Sequence, residues 1–85
     1  MKDFFMEIWK EREHKSQISG KYLGKEPLST FFHHILPKAR YPEAALDKEN
    51  IILLTPDEHA DIESKVLRSE IIDEMVKILK KKYEK

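Results

Sequence analysis

Residues 31–63 read FFHHILPKARYPEAALDKENIILLTPDEHADIE, and this stretch decides the fold. It contains two apolar runs with the length of short strands: Phe31–Leu36, which stops at Pro37, and Asn50–Leu54. The residues between them, 38–49, form a loop that is longer than the usual connection, and long loops in compact domains tend to carry function. The stretch therefore predicts a short β-hairpin with a functional loop.

The segment Thr55-Pro56-Asp57-Glu58 is the clearest local signal in the chain. Thr at the N-cap, Pro at the first helical position and Glu at the third form a capping box, and Asp57 places negative charge at the positive end of the helix. A helix should begin here and carry His59 in its first turn. Apolar residues at helical spacing continue to Tyr83, either as one long helix or with a break near Arg68–Glu70.

The residues before the hairpin predict a helix and a turn. Residues 3–13 have the apolar spacing of a short amphipathic helix, in which Trp9 fits a core anchor better than a base-stacking residue. Gly20 and Gly24 interrupt the pattern that follows, so Ser16–Leu23 is expected to be a strand or a turn.

Length and composition limit the class of protein. The 85 residues suffice for one small domain, with the motif core at about 31–63 and a helical extension at 64–85. The chain has no cysteine, which excludes disulfides and thiolate zinc sites. Acidic residues interrupt the N-terminal apolar run, and no stretch reaches the ~20 apolar residues of a membrane span. We therefore expect a cytoplasmic protein with no membrane association.

Charge is unevenly distributed although the net charge is zero. Residues 1–42 carry a net charge of +3, residues 43–76 of −7 and residues 77–85 of +4. An acidic middle between basic ends suits a cation site better than a uniform phosphate-binding face, and it indicates weak DNA affinity. The lysine-rich end at 77–85 fits a solvated helix terminus better than a phosphate-binding tail.

Three of the four histidines lie on the predicted hairpin and the capped helix. Imidazole is both a frequent ligand of divalent metals and the usual general base near neutral pH, so His33 and His34 could divide these tasks. Adjacent residues of a regular strand point to opposite faces, so both can serve one site only where the strand ends or twists. Glu63 lies four residues after His59 on the same helix face, as a metal site requires, although an exposed carboxylate explains it equally well.

The order and spacing of these residues resemble the motif of the His-Asn-His (HNH, ββα-metal) endonuclease family. In that motif a His or Asp is followed directly by His, then by a loop that ends in Asn before an apolar strand, and then by His in a helix. The matching residues here are His33, His34, Asn50 and His59, and the similarity spans about residues 8–63. It implies a small α+β domain of the ββα-metal type, with an N-terminal helix, a short antiparallel β-hairpin and a long C-terminal helix.

The resemblance also implies a role for each matched residue. His33 and His59 would hold one divalent ion (Mg²⁺, Mn²⁺, Ni²⁺ or Zn²⁺), and Glu63 matches a position that supplies a further ligand in some members. His34 would be the general base that activates water for attack on a phosphodiester. Asn50 would bridge backbone groups across the loop and so support the strand that carries His34.

Lys38 and Arg40, on the loop after the paired histidines, are candidates for phosphate contacts, although ordinary loop charges explain them almost as well. DNA is the expected partner and RNA the alternative. A domain this small has little surface for base readout, so weakly specific nicking or targeting by a protein partner is expected. The family context is phage packaging, mobile elements or host defence.

One departure from the family pattern concerns a structural metal. Many members bind zinc through two Cys-x-x-Cys pairs, and here Ser16 and Ser19 align with the first pair, and Thr55 and Glu58 with the second. No structural zinc is therefore expected. The capping box at Thr55 and Glu58 is expected to orient the helix that delivers His59 instead.

We therefore expect a metal-dependent endonuclease, a phosphodiester hydrolase acting on DNA. The alternative is a catalytically silent relative that binds nucleic acid or a protein partner, which the zero net charge and the acidic middle favour. The complete set of three histidines and one asparagine counts against it. A third hypothesis is a helical interaction protein whose C-terminal helix pairs with a partner.

Overall fold

The computed structural model describes residues 2–67 and 69–83, and it shows a small α+β fold. In chain order the elements are α1 (Lys2–Glu11), β1 (Phe32–His34), β2 (Ile51–Leu53), α2 (Pro56–Glu63) and α3 (Glu70–Tyr83). Short 3₁₀ turns cover Ser29–Phe31, Pro42–Ala44 and Lys48–Asn50. The predicted class, an N-terminal helix, an antiparallel hairpin and a C-terminal helix, is confirmed.

The hairpin pairs β1 with β2 in antiparallel register, with His33 opposite Ile52. Backbone hydrogen bonds continue the pairing beyond both strand ends, from Leu54 N to Phe31 O (2.9 Å) and from Ile35 N to Asn50 O (2.8 Å). The two predicted runs therefore pair along nearly their whole length, although the regular strands contain only three residues each.

Side chains on the two faces of the hairpin belong to two separate cores. One face packs with α1 in the cluster Ile8, Trp9, Leu23, Phe31, Phe32, Ile51 and Leu53. The other face packs with α3 in the cluster Ile35, Leu36, Ile52, Leu54, Ile72 and Leu79. Because β2 is covered on both faces, all its residues are apolar rather than alternating with polar ones. Trp9 is 4% exposed and is a core anchor, as predicted.

The apolar pattern from Pro56 onward is divided into two helices, and the break begins earlier than the expected position near Arg68–Glu70. Helix α2 ends at Glu63, and Lys65 has a left-handed φ of 65°. Val66 N donates to Asp61 O (2.9 Å), which closes the turn in the way that usually requires glycine. Arg68 lies outside the described residues, and α3 starts after the buried Ser69, whose hydroxyl accepts from Ile72 N (3.4 Å).

The segment after α1 forms a turn beside the outer edge of β2. Lys15 and Tyr22 form an isolated antiparallel bridge, and Gly20, at φ 77°, closes the turn by donating to Ser16 O (2.9 Å). Gln17 N donates to Leu53 O (2.8 Å), which fixes the turn against the strand. The expected strand or turn at 16–23 is thus a turn that covers one sheet edge. Within the described ranges, none of the helices has the length and apolar character needed to cross a membrane.

Candidate metal centre

Helix α2 begins with the predicted capping box. Glu58 N donates to Thr55 Oγ1 (3.1 Å), and Thr55 N donates to Glu58 Oε1 (2.9 Å), so two amides of the helix start are satisfied reciprocally. This start places His59 and Glu63 on one face, with 3.0 Å between His59 Nε2 and Glu63 Oε1. The predicted helical spacing of these two residues is confirmed.

His33 extends from β1 toward the same helix face. Its ring centroid lies 5.0 Å from that of His59, edge to face. One ligand atom from each of His33, His59 and Glu63 can be chosen so that all three lie within 4.8 Å of one another. The hairpin and α2 therefore bring together three side chains of the types that bind divalent metals.

The electrostatics of His33 fit a metal ligand. Burial, reinforced by the charge of His59, lowers its pKa from 6.5 to about 4, so the imidazole is neutral at neutral pH. Its Nδ1 is buried and has no hydrogen-bond partner among the described residues. A buried nitrogen without a partner is costly unless a ligand satisfies it, and a neutral imidazole is the form that coordinates metals.

His59 has an oxygen acceptor at each ring nitrogen. Nδ1 lies 2.7 Å from Thr30 O, and Nε2 lies 3.0 Å from Glu63 Oε1. A neutral imidazole carries only one N–H, so it can satisfy only one of these acceptors. The arrangement therefore requires a proton or another cation between His59 Nε2 and the Glu63 carboxylate. Together with His33, these residues fit a metal ion.

His34 lies on the opposite face of β1 from His33 and is half-buried. Its Nε2 is 3.2 Å from Ala45 O, and its ring centroid is 6.1 Å from that of Phe5. Although His34 and His33 lie on opposite faces of β1, both line the same open groove, which borders the edge of β1 that does not pair with β2. This edge groove is lined by Phe32, His33, His34, Ile35, Pro37, Lys38, Ala39, His59 and Glu63.

Asn50 is fully buried at the end of the loop and holds the loop closed. Its Oδ1 accepts from Leu36 N (2.7 Å), and its Nδ2 donates to Leu36 O (3.2 Å) and Ala44 O (3.1 Å). These are the predicted bridges across the loop. Leu36 follows β1, which carries His34, and Ala44 precedes Ala45, whose carbonyl contacts His34. Asn50 therefore stabilises both chain segments that hold the His34 ring.

Lys38 and Arg40 are exposed, and the structure places them in two adjoining grooves. Lys38 lines the edge groove beside the histidines. Arg40 lines a second groove with Ile35, Leu36, Pro37, Tyr41, Val76 and Lys80, and we call this the α3 groove. The two loop cations are therefore not both beside the histidines.

In comparisons with known proteins, no family model, curated protein or solved structure matches this chain.

Two sets of polar contacts near the site were not foreseen from the sequence. The Ser16 and Ser19 hydroxyls reach the Glu58 carboxylate, and although burial raises the pKa of Glu58, hydrogen bonds from Ser16, Thr55 and Ser19 outweigh it and lower the pKa. The half-buried Arg12 donates to Ile51 O and Lys48 O, both at 2.6 Å, next to Asn50. The alignment of Ser16 and Ser19 with a metal-binding pair was the available signal for the first set, whereas no sequence pattern pointed to the contacts of Arg12.

Proposed function

We propose that the protein is a metal-dependent endonuclease that hydrolyses phosphodiester bonds of DNA. The observation that carries the proposal is the convergence of His33, His59 and Glu63 on one point, with a buried neutral imidazole nitrogen that has no other partner. The motif order shared with the HNH endonucleases supports it. In this proposal His33 and His59 hold one divalent ion, and Glu63 is the third ligand.

The ion would supply charge stabilisation for the phosphate and the leaving oxygen as they become more negative. Two imidazoles and one carboxylate form a borderline ligand set, which is compatible with Mg²⁺, Mn²⁺, Ni²⁺ or Zn²⁺. The protein itself keeps His33 neutral by burial and orients His59 through Thr30 O, so both imidazoles are prepared before a ligand arrives.

His34 is the proposed general base. The contact between its Nε2 and Ala45 O places the ring proton on Nε2, because a carbonyl oxygen accepts only. Nδ1 is then the basic nitrogen, free to remove a proton from a water molecule that attacks the phosphorus. Asn50 is a positioning residue: it touches no substrate and fixes the loop whose Ala45 carbonyl selects the tautomer of His34.

Lys38 is the proposed phosphate contact next to the metal centre, and Arg40 is a second one in the adjoining groove. RNA is the alternative substrate, because these contacts are to the phosphate backbone. Weak base specificity, or targeting by a protein partner, is consistent with the small surface. Phage packaging, mobile elements and host defence are the biological settings in which such an activity would act.

The second candidate function is a catalytically silent module that binds nucleic acid or protein. The zero net charge and the acidic stretch at 43–76 favour the protein-binding form of this module, because both weaken attraction to a polyanion. This candidate explains neither the unpartnered nitrogen of His33 nor the two acceptors around His59.

Plasmid nicking tests the proposal. Purified protein is incubated with supercoiled plasmid in Mg²⁺, Mn²⁺, Ni²⁺ or Zn²⁺, and in EDTA. We expect nicking with at least one metal and none in EDTA, and we expect His34→Ala to reduce the rate by about 10²–10⁴-fold while metal binding persists. His33→Ala and His59→Ala should remove metal binding and nicking together.

The matched control is His14→Gln, which removes the imidazole that stacks on Trp9 outside the edge groove. Its nicking rate per folded molecule, with folding followed by circular dichroism, should equal that of the unmodified protein. The proposal is wrong if no divalent ion supports nicking, and the role of His34 is wrong if His34→Ala cuts at the original rate.

A further inference from the structure

The α3 groove continues directly from the edge groove. Ile35 and Pro37 line both, so the two depressions meet along the chain segment that follows β1. The far wall of the α3 groove is helix α3, which contributes Val76 and Lys80. A chain-like ligand at the metal centre could therefore extend over the 37–41 turn onto the C-terminal helix.

Three cations border these two grooves: Lys38 in the edge groove, and Arg40 and Lys80 in the α3 groove. None of them forms an ion pair with a carboxylate of residues 2–67 or 69–83. Lys82 and Lys48 differ, because Lys82 contacts Asp47 at 2.7 Å and Lys48 contacts Glu11 at 2.7 Å. The two grooves are thus bordered by Lys38, Arg40 and Lys80, none of which is paired with a carboxylate of the described residues.

The backbone that carries these cations is well anchored. Arg40 N and Tyr41 N both donate to Pro37 O, at 3.1 and 2.9 Å, which closes the turn. Tyr41 packs against the core cluster beneath α3, and Lys80 follows Leu79, which is 2% exposed. The spacing of the charges is therefore set by the fold, and only the long side chains need to be ordered on binding.

We propose that the α3 groove binds the phosphodiester backbone of the nucleic acid strand whose cleaved bond lies at the metal centre, with Arg40 and Lys80 as phosphate contacts. The inference rests on the proposed function for its ligand class. The phosphates of a strand carry the charge opposite to that of these unpaired cations, and binding releases counterions without breaking an existing ion pair. Val76, which is half-buried and lines the same groove, offers apolar contact to the sugars.

The inference changes the role of the lysine-rich end. The whole segment was expected to be a solvated helix terminus, but Lys82 forms ion pairs with Asp47 and Glu49. Lys80 instead lines the α3 groove and forms no ion pair with a carboxylate of the described residues. One turn of α3 therefore contains Lys82, which forms ion pairs with Asp47 and Glu49, and Lys80, which we assign to substrate binding.

Fluorescence anisotropy in EDTA tests the inference without cleavage. The probes are fluorescein-labelled single-stranded and double-stranded DNA 20-mers, titrated with unmodified protein, Arg40→Gln and Lys80→Gln at several salt concentrations. We expect each variant to bind about 5- to 10-fold more weakly, and the slope of log K against log salt to fall by roughly 0.7–0.9 for each lost phosphate contact.

Lys21→Gln is the matched control, because Lys21 is exposed in the turn beside β2, on the sheet edge opposite β1. It should bind within twofold of the unmodified protein with the same slope. Wild-type affinity and slope in both Arg40→Gln and Lys80→Gln would overturn the inference, as would the absence of DNA binding by the unmodified protein at low salt.

Nicking assays on the same variants separate this inference from the proposed function. If the unmodified protein nicks plasmid but the two substitutions change neither binding nor nicking, the nuclease stands and the inference fails. If binding depends on Arg40 and Lys80 but no divalent ion supports nicking, the inference stands and the nuclease proposal fails.

Discussion

Glu58 and His59 are neighbours at the start of α2, yet they belong to two very different polar clusters. Glu58 contacts Ser16, Ser19 and Thr55, and every one of these contacts pairs a donor with an acceptor. His59 lies between two acceptors, and the nearby His33 has a buried nitrogen without a partner. One cluster is complete within the protein, and the other requires a proton or another cation between His59 and Glu63.

The difference indicates which polar cluster is structural and which is functional. A polar cluster whose donors and acceptors are all paired stabilises the fold without a ligand. Polar groups without a partner reduce stability, and they are expected where binding of a ligand compensates for that loss. The positions that align with the zinc cysteines of the resembled family are the satisfied ones here. The group that could hold a metal lies on the other side of α2.

The largest expected effect comes from the most completely satisfied residue, Asn50. Asn50→Ala leaves Leu36 N, Leu36 O and Ala44 O without their partner, all in a fully buried place, and should lower the free energy of unfolding by about 3 kcal/mol. Urea denaturation measures it. Glu43→Gln, on the exposed side of the same loop, should stay within about 0.5 kcal/mol. If Asn50→Ala lowers the free energy of unfolding by less than about 1 kcal/mol, Asn50 does not hold the loop closed.

Two matched substitutions compare the clusters directly. Glu63→Gln should weaken binding of the active metal by about 100-fold, or about 2.7 kcal/mol, and leave thermal stability without metal unchanged or higher. Glu58→Gln should do the reverse: it lowers the melting temperature and leaves metal affinity within a few-fold. Isothermal titration and thermal melts of both variants provide the measurements. Identical behaviour of the two variants would remove the distinction between the clusters.

The next effect is a pH dependence that His33 imposes. Its pKa is depressed from 6.5 in the unfolded chain to about 4 in the fold, so the unfolded state takes up the proton first as pH falls. Stability without metal should therefore be fully present above pH 6.5 and be lost progressively down to about pH 4. The pKa shift corresponds to about 3 kcal/mol, of which we expect about 2 kcal/mol because the imidazole keeps partial contact with solvent. His33→Leu, which cannot titrate, should show a flatter profile in urea denaturation between these values. Parallel profiles would show that His33 is not the buried neutral base described.

The smallest effect concerns the capping box. Thr55→Ala removes the acceptor of Glu58 N and should lower the free energy of unfolding by about 1 kcal/mol. Thr55→Ser keeps the hydroxyl and should restore most of that loss. If both variants are as stable as the original chain, the hydrogen-bonded start of α2 does not perform the orienting role that zinc performs in members of the resembled family.

The parts of the structure that follow from local sequence were the ones predicted. The capping box, the His59 and Glu63 spacing and the two strands depend on neighbours within a few residues, and each is found where the pattern placed it. The break after Glu63 was placed too late, because the left-handed residue that ends α2 is Lys65 rather than glycine.

The remaining features depend on contacts between distant segments, which no periodicity reveals. Arg12 reaches Lys48 and Ile51 across 36 and 39 residues of sequence, and the side chains of Lys82 and Tyr83 both bind Asp47. Family alignment identified Ser16 and Ser19 as a pair, but only the fold shows that they face Glu58. The partition of the cations between the edge groove and the α3 groove likewise depends on how α3 packs.

The hydrogen bonds from the end of α3 to Asp47 imply an order of folding steps. The hydrogen bonds from Lys82 and Tyr83 to Asp47 join residues 35 and 36 positions apart, whereas the hydrogen bond between Asn50 and Leu36 joins residues 14 positions apart. Closing the longer loop costs roughly 0.8 kcal/mol more chain entropy, so the hairpin and its hydrogen bonds to Asn50 can form before α3 docks. In reverse, α3 is the element that should detach first in sub-global opening, which hydrogen exchange would detect as weaker amide protection than in β2. The candidate metal centre would then belong to the more persistent foldon, and the wall of the α3 groove to the foldon that opens first.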